Sequence, residues 1–512
     1  MSNKLLRPLA VIGNLTFISR ILGYIRDVLI ATIFGAGIST DAFFIAFKIP
    51  NFFRRIFAEG AMSQAFIPVL AESRRNDEKS AGDLIRAVSG ALSVTVFGVV
   101  LLGVLSAPLI VYVFAPGFAA TPEKATLTTD LLRVMFPYLG LISICALTWG
   151  VMNSYNKFAT PALCAVLFNV VLISAIVFIT DYFERPIMAL AVAVPLGGLM
   201  QLMFSVWGIN RLGFSLRPQF NWNHPGVTKI LHLMAPAALA ASIVQVNLMI
   251  DLAIASFLET GSISWLYYSN RLVEFPLGVF GVALATVLLP NLSTSAAEDD
   301  VRKFSSTIDW ALRWAAMIGL PAAAGLIILS DEMILTLFGY GAITERDVLM
   351  SSNSLSAYSM GLFAFIMIKI FGPGYYARQD MRTPVKFGLV AIGINLIFNL
   401  VLVAPLGHTG LALATAIAAN ANALMLWHGL RKKNIYIPTE DWLLFVIRIF
   451  IAILGMMGFL FYVSSPLSSW MDWSFGARFY HLFSFILGSG CVYFTVLLLV
   501  GMRKKHVGQF GV

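Results

Sequence analysis

Long apolar segments alternate with short polar ones along most of the chain. Stretches free of Asp, Glu, Lys and Arg occur at 87–122, 134–156, 158–180, 187–210, 230–250, 275–297, 314–330, 348–368, 387–430, 449–471 and 479–502. A membrane-spanning helix needs about 20 mostly apolar residues, so these stretches predict spans. The longest stretch has room for two helices, with a break predicted at "APLGHTG".

Two further apolar segments, at about 9–34 and 41–70, carry charged residues but keep the length of a span. No run of about ten residues with alternating polarity indicates a β-barrel. The pattern therefore predicts an all-α polytopic membrane protein with about fourteen transmembrane helices.

Composition agrees with a chain that lives in the bilayer. It is 59% hydrophobic and 12% charged, whereas soluble domains carry roughly a quarter charged residues. The net charge of +9 does not indicate nucleic-acid binding, because the basic residues cluster in short loops. The loop with Arg302, Lys303 and Arg313 is typical, and the loops on the other side hold few cations, Lys124 among them. The positive-inside rule then places both termini in the cytoplasm.

The chain also repeats itself at a nearly constant offset. "VFAPGFAATPE" at 113–123 resembles "LFGYGAITERD" at 337–347, and the Thr-Pro pairs at 160–161 and 383–384 lie 223 residues apart. An even number of helices in each repeat predicts two lobes related by a pseudo-twofold axis along the membrane normal. The expected division is an N-lobe at 1–212, a C-lobe at 213–436 and a C-terminal helix pair at 437–512.

Charged residues inside these apolar segments need a physical reason, since one at the bilayer centre costs at least ~2.5–3.5 kcal/mol. Some of the cations can reach a membrane interface or pair locally. This explanation suits Lys48, Arg55 and Lys369, and Arg55 has the right spacing to pair with Glu59, as Arg271 has with Glu274.

Four arginines resist that explanation, namely Arg20, Arg26, Arg54 and Arg271, because they lie in long apolar runs and outnumber nearby carboxylates. They are expected to line a water-filled cavity between the halves. Guanidinium groups bind phosphate oxygens bidentately and stay charged. The cargo is therefore expected to be a large, phosphorylated anion.

Specific motifs point to one family. The strings "SRILGYIRDVLIATIFGAG", "RRIFAEGA", "YYSNRLVEFPLGVFGVALATVLLP" and "PGYYARQD-RTPVK" closely resemble the MurJ-type (MviN) lipid II flippases of the MOP exporter superfamily, and the likeness covers nearly the whole chain. That resemblance implies two six-helix lobes plus a final helix pair that forms a groove for the lipid tail. It also implies the movement of lipid II, an undecaprenyl-diphosphate-linked disaccharide pentapeptide, from the cytoplasmic to the periplasmic leaflet of the bacterial inner membrane.

The resemblance assigns roles to individual residues. It implies that the four arginines bind the diphosphate and that Asp41 matches an acidic position tied to activity. Supporting or gating roles follow for Asp27, Lys48, Asn51, Arg55, Glu59, Glu274 and Lys369.

A sodium site is the least specific implication. Some members of the family bind Na⁺ through carboxylates, amides and a threonine, which match Asp251, Asn395, Asn399 and Thr415 here. The alternative for these residues is hydrogen bonding between helices.

Other functions fit the sequence less well. Only the specific motifs distinguish a lipid II flippase from a flippase for another polyprenyl-diphosphate-linked oligosaccharide. A drug exporter would instead show an acidic or aromatic cavity. An enzyme is disfavoured because loops are short and the histidines are scattered. The chain lacks a phosphate-binding loop of the G-x-x-x-x-G-K-[ST] type.

The expected mechanism is therefore alternating access by a monomer without a cofactor, driven by membrane potential or by Na⁺ coupling. Its expected contacts are membrane lipids, and proteins of cell-wall synthesis or division remain open as partners.

Overall fold

The computed structural model describes residues 3–56, 62–439, 441–503 and 506, and all the regular elements in these ranges are helices. Packing divides the chain into two compact units, Met1–Gly261 and Ser262–Val512. The prediction of an all-α chain is confirmed. Glu59 lies outside the described residues.

The described residues of the first unit form ten α-helices. They are α1 (Asn3–Phe34), α2 (Ile38–Arg54), α3 (Ser63–Asn76), α4 (Glu78–Leu105), α5 (Ala107–Phe114), α6 (Pro122–Met135), α7 (Pro137–Ser154), α8 (Ala159–Phe178), α9 (Met188–Asn210) and α10 (Pro225–Ala255).

The second unit also has ten α-helices among its described residues. They are α11 (Ser262–Pro276), α12 (Val282–Ala297), α13 (Val301–Ile328), α14 (Ser330–Phe338), α15 (Glu345–Ser359), α16 (Leu362–Tyr376), α17 (Arg382–Lys432), α18 (Trp442–Val463), α19 (Leu467–Asp472) and α20 (Phe475–Leu499). A π-helical turn, Leu277–Gly281, joins α11 to α12.

Helix α17 is two helices joined at Gly407, which has φ 55° and ψ −132°. This left-handed backbone suits glycine, whose missing β-carbon removes the steric penalty. The break falls inside "APLGHTG", where the sequence predicts it.

The internal repeat is visible in the element boundaries. Helices α2 and α11 begin 224 residues apart, α5 and α14 end 224 apart, and α8 and α17 begin 223 apart. Asn156 and Gln379, which lie 223 apart, both adopt a positive φ, 58° and 59°. The same local structure thus recurs at equivalent positions of the two halves.

Nine described segments, each one helix or two consecutive helices, are long and apolar enough to span a membrane, and the bent pair α15–α16 makes ten. Counting α17 as two spans, and adding α1, the α2–α3 pair and α10, brings this total to the predicted fourteen. Helices α1, α2 and α3 carry charged residues, and the described apolar stretch of α10 is the short segment Gln245–Ala255. The count of fourteen stays a prediction.

Helix α10 packs with the first unit. Its Val227 and Ile230 join a buried cluster with Phe66 of α3, Leu84 of α4 and Leu147 of α7. The compact unit accordingly extends to Gly261, beyond the boundary expected at 212. The lobe and helix-pair boundaries predicted from the sequence remain predictions.

The final helices belong to the second unit. Helix α18 packs against α20 and α13. The Tyr493 hydroxyl of α20 donates to the Met317 carbonyl of α13 at 2.9 Å. The C-terminal pair is therefore tied to α13 within the apolar part of the unit.

Candidate functional site

Two of the four arginines lie on α1, and they differ in surroundings. Arg20 is exposed, and no hydrogen bond or ion pair links it to another residue in the described part of the chain. Arg26 is 11% exposed and donates from Nε (3.0 Å) and Nη2 (2.6 Å) to Oδ1 of fully buried Asp27.

Arg26 also reaches across to α8. Its Nη1 donates to Asn169 Oδ1 at 3.0 Å, and Asn169 Nδ2 donates to the carbonyls of Ala165 (3.1 Å) and Ser19 (3.3 Å). Helices α1 and α8 pack closely along their length. Arg26 therefore connects two helices as well as carrying charge, and Asn169 is a contact that the sequence did not reveal.

Asp41 is buried near the start of α2, at 1% exposure. Its Oδ2 accepts the Gly261 backbone N–H at 2.7 Å and lies 3.6 Å from Lys124 Nζ of α6. The Lys124 ammonium is also buried, and it lies 5.0 Å from the centre of the Phe118 ring. Asp41 thus joins α2, α6 and the end of the first unit through a buried ion pair.

Lys124 is a residue that sequence reasoning missed as a partner. It lies 83 positions from Asp41, and its place beside an apolar segment indicated only a loop cation. One feature of the sequence could have indicated a partner for Lys124: the loops on that side of the membrane hold few basic residues, so a lysine there is unusual.

The remaining predicted residues of the first unit lie on or beside α2 and on α10. Asn51 Oδ1 accepts from Arg54 Nε at 3.0 Å, and Lys48 is half-buried one turn earlier. Arg55 is exposed, and its Nη1 lies 3.5 Å from Gln245 Oε1 of α10. Asp251 is half-buried on α10.

In the second unit, Arg271 and Glu274 lie one turn apart on α11. Arg271 Nη1 and Glu274 Oε2 are 3.4 Å apart, and Asn270 donates to Glu274 Oε1 at 3.1 Å. Lys369 of α16 is exposed. The aliphatic part of its side chain lies beside Gly281, since a β-carbon on Gly281 would be 3.7 Å from Lys369 Cγ. The Arg271–Glu274 pair predicted from spacing is present.

Three residues of the expected sodium site meet between the halves of α17. Asn399 Nδ2 donates to Asn395 Oδ1 at 3.0 Å, Asn395 Nδ2 donates to Thr415 Oγ1 at 3.4 Å, and Thr415 donates to the Leu411 carbonyl at 3.0 Å. Asn395 Oδ1 and Thr415 Oγ1 are oxygens that suit a hard cation, yet here each accepts a hydrogen bond from a side-chain amide of the cluster. This geometry favours interhelical hydrogen bonding, and the sodium site stays a prediction.

A second buried network was also missed. Asp309 of α13 accepts hydrogen bonds from Tyr436 (2.5 Å), Thr439 (2.7 Å) and the Trp442 indole (2.7 Å), and lies 3.4 Å from Arg313 Nε. The sequence placed Arg313 in a loop because its apolar run begins at 314. The structure corrects this, since Arg313 lies inside α13 at 5% exposure. The four-residue spacing of Asp309 and Arg313 was the available signal.

The fold and its apolar spans define a class, the polytopic α-helical membrane proteins. Solved structures of transporters share the fold. One described as an inward-facing multidrug resistance MATE family transporter of the MOP superfamily aligns with 83% of this chain and 98% of its own, at TM-score 0.66 and 14% identity.

The particular family follows from closer matches. The family model "Lipid II flippase MurJ" matches residues 30–482. A "Probable lipid II flippase MurJ" of Vibrio cholerae serotype O1 is 41% identical, over 99% of this chain and 98% of that protein. A "Lipid II flippase MurJ" of Burkholderia cenocepacia is 37% identical, over 98% of this chain and 99% of that protein. The chain belongs to the MurJ lipid II flippase family.

A solved relative agrees over the full length. The structure described as "Lipid II flippase MurJ, inward closed conformation" aligns at TM-score 0.79 and 26% identity, covering 96% of this chain and 98% of its own. The expected family and its MOP-type fold are confirmed, and the family is one of transporters rather than enzymes.

Proposed function

We propose that this chain flips lipid II from the cytoplasmic to the periplasmic leaflet by alternating access. The observation that carries the proposal is the full-length match, at 41% identity, to a relative named as a probable lipid II flippase. The chain is a multi-pass membrane protein. Its proposed location is the bacterial inner membrane, with both termini in the cytoplasm.

The chemistry of the four arginines supports this cargo. A diphosphate presents several anionic oxygens, which guanidinium groups bind bidentately without losing their charge at any physiological pH. Arg20 is exposed, while Arg54 and Arg271 are each partly exposed. These side chains are the proposed ligands of the diphosphate.

The lipid tail is proposed to stay in the bilayer throughout. Each methylene buried in the bilayer contributes ~0.8 kcal/mol. The free-energy cost of extracting a long polyprenyl chain would therefore far exceed the energy that a few ion pairs supply. Only the polar head needs a path through the protein. Membrane potential, worth ~2.3 kcal/mol per charge per 100 mV, is the proposed driving force, with Na⁺ coupling as the alternative.

Complementation tests the proposal. Cells depleted of their own lipid II flippase receive the wild-type chain or Arg20→Ala, Arg54→Ala or Arg271→Ala variants, and periplasmic exposure of lipid II is measured beside protein abundance. We expect rescue by the wild type and loss of exposure in abundant arginine variants. Exposed Arg133→Ala on α6 is the matched control, with an expected full rescue.

Two outcomes contradict the proposal in different ways. An abundant wild-type chain that exposes no lipid II rules out the substrate. Full activity of all three arginine variants would instead contradict the proposed role of the arginines in binding, while the assignment of lipid II as the substrate would stand.

A further inference from the structure

An apolar groove lies in the second unit among α12, α13 and α16. Its volume is about 230 Å³, and its lining includes Phe280, Leu284, Val287, Trp310, Trp314 and Ile366. Ala283, Leu284 and Val287 lie at helical spacing on α12, and Phe280 of the preceding π-turn extends the apolar face that they present to the groove. None of the described lining residues is charged.

Local sequence explains why the helices leave a groove here. Pro276 is followed by the π-helical turn Leu277–Gly281, and π-turns occur often at functional sites. Small residues on the walls, Ala283 and Ala315, leave space that larger side chains would fill. The groove is therefore built into the backbone and the choice of side chains.

The groove is closed on one side and open on another. Where α13 meets α16, a β-carbon on Gly319 would lie 2.9 Å from Ile366 Cδ1, so the two helices touch closely. Phe280, in the π-helical turn, is 37% exposed, and Val287 of α12 is 47% exposed. In a membrane-spanning segment of this length the exposed apolar faces contact lipid chains, and the uncharged described walls of the groove suit a hydrocarbon chain better than a polar ligand.

The neighbouring charge favours the tail of the transported lipid over other hydrocarbon. Helices α11 and α12 form one candidate span, Ser262–Ala297. Arg271 precedes Phe280 by nine residues, or about 13 Å at 1.5 Å per residue. One span therefore carries both a phosphate-binding group and an apolar slot, within reach of the head and tail of one molecule.

The size of the groove sets what it can hold. At ~30 Å³ per water-sized group, the groove holds about eight such groups. Since an isoprene unit has five carbon atoms, the groove has room for roughly one or two units. Prenyl units are flat at each double bond, and the indole and phenyl faces of Trp310, Trp314 and Phe280 offer flat apolar walls. The rest of a long tail would stay in the bilayer.

We propose that the groove lined by α12, α13 and α16 binds a short section of the polyprenyl tail of the transported lipid. This inference rests on the proposed function and adds to it a tail site away from the C-terminal helix pair. Holding the tail beside α12 keeps it from being drawn through the protein while the head crosses.

Photo-crosslinking tests the site directly. Phe280 is replaced by the photoreactive analogue benzoylphenylalanine in the full chain, in vesicles of phosphatidylethanolamine and phosphatidylglycerol containing lipid II. Phe97, 70% exposed on α4, is the matched control, and Phe450, 60% exposed on α18, samples the C-terminal pair. Lipid adducts are identified by mass spectrometry. We expect the prenyl share of adducts at Phe280 to exceed that at Phe97 several-fold.

A groove-filling variant supplies the second readout. Adding Ala283→Phe should lower the prenyl share at position 280 to that of Phe97, while Val94→Phe, on an exposed face of α4, should leave it unchanged. Equal prenyl and phospholipid shares at Phe280 and Phe97 would overturn the proposal even if flipping is normal. Because crosslinking reports the bound lipid and not its movement, it distinguishes this failure from a failure of the proposed function.

Discussion

At the scale of single residues, the four arginines are held in different ways. Arg20 is exposed, whereas Arg26 directs three N–H groups to Asp27 and Asn169 and so joins α1 to α8. A planar guanidinium can make this fork of bonds and a lysine cannot. We infer that Arg26 positions α1 in this conformation, whereas Arg20 has no such positioning contact in the described part of the chain.

Replacing Arg26 by lysine should therefore reduce stability. Loss of the bond from charged Arg26 to Asn169 is expected to cost about 1.5–3 kcal/mol, and Asn169→Ala should cost a similar amount. The two changes together should cost little more than either alone, because both remove the same contact. Unfolding of the purified protein, followed against denaturant, measures these differences.

Arg20→Lys is the control for that series, because its exposed side chain makes no such bond. It should leave the free energy of unfolding nearly unchanged. Full additivity of Arg26→Lys and Asn169→Ala would contradict the positioning role.

Lys124 should matter mainly because Asp41 is buried beside it. Removing one member of a buried ion pair typically costs about 3–5 kcal/mol, whereas replacing both can be nearly neutral. We expect Lys124→Met to lower abundance and thermal stability, and the double change Asp41→Asn with Lys124→Met to restore much of the loss.

The control for Lys124 lies on the same helix. Arg133 pairs with Asp130 at 3.8 Å on the surface, where such pairs contribute about 0–1 kcal/mol. Arg133→Met should therefore have little effect. A double variant that is as unstable as Lys124→Met alone would show that the pair is not what stabilises α6 against α2.

At the scale of helices, polar contacts attach the C-terminal pair to the rest of the second unit at two places. Asp309 and Arg313 of α13 bind the segment before α18, and Ser305 exchanges hydrogen bonds with the Ile437 backbone at 2.7 and 2.8 Å. Arg478 of α20 donates to the carbonyls of Trp470, Met471 and Gly339 at 2.8–3.1 Å. The pair is thereby held to α13 and to the segment after α14.

Asp309→Asn should loosen the first of these attachments. Its carboxylate accepts three hydrogen bonds and faces Arg313, so the neutral amide should leave a buried cation without compensation, at a cost of about 3–5 kcal/mol. Hydrogen exchange should speed up at the start of α18, and exchange in α4 should not change.

Asp83 provides a matched carboxylate for comparison. It lies on α4, is 42% exposed and pairs with Arg86. Asp83→Asn should change hydrogen exchange neither at the start of α18 nor in α4. Unchanged exchange in α18 of the Asp309→Asn variant would show that the helix is held by apolar packing alone.

The turn before α17 should give the second unit a dependence on pH. Hydrogen bonds from the Lys433 ammonium at 2.7 Å and from the Thr383 hydroxyl at 2.7 Å hold the pKa of Asp380 well below its usual range. A carboxyl with a lowered folded-state pKa stabilises the protein above its unfolded pKa of about 3.9. That contribution is lost as the pH falls from there through the folded-state pKa.

Asp380→Asn should therefore flatten the fall in unfolding temperature below about pH 4. Thermal unfolding of detergent-solubilised protein between neutral and acidic pH measures this. Asp299→Asn is the control, since that carboxylate is 89% exposed and lies 3.4 Å from Arg378. A profile for Asp380→Asn that matches the wild type would exclude a contribution from this turn.

At the scale of the whole molecule, the sequence predicts what periodicity and repetition encode. Span positions, the break at Gly407 and the offset of about 224 residues are all visible as patterns. The contacts that close the structure are not, because Arg26 meets Asn169 from 143 positions away and Asp309 meets Trp442 from 133. A local pattern shows that a charge needs a partner but does not identify the partner.

The packing of α10 has a consequence for how the protein is made. Although α10 corresponds to α1 by the repeat, its Val227 and Ile230 complete the buried cluster of the first unit. Domains generally fold as units while the chain is being synthesised. A nascent chain ending at 212 would thus leave the faces of α3 and α4 uncovered in the bilayer, and the first unit can finish folding only after the ribosome has translated the opening helix of the second repeat.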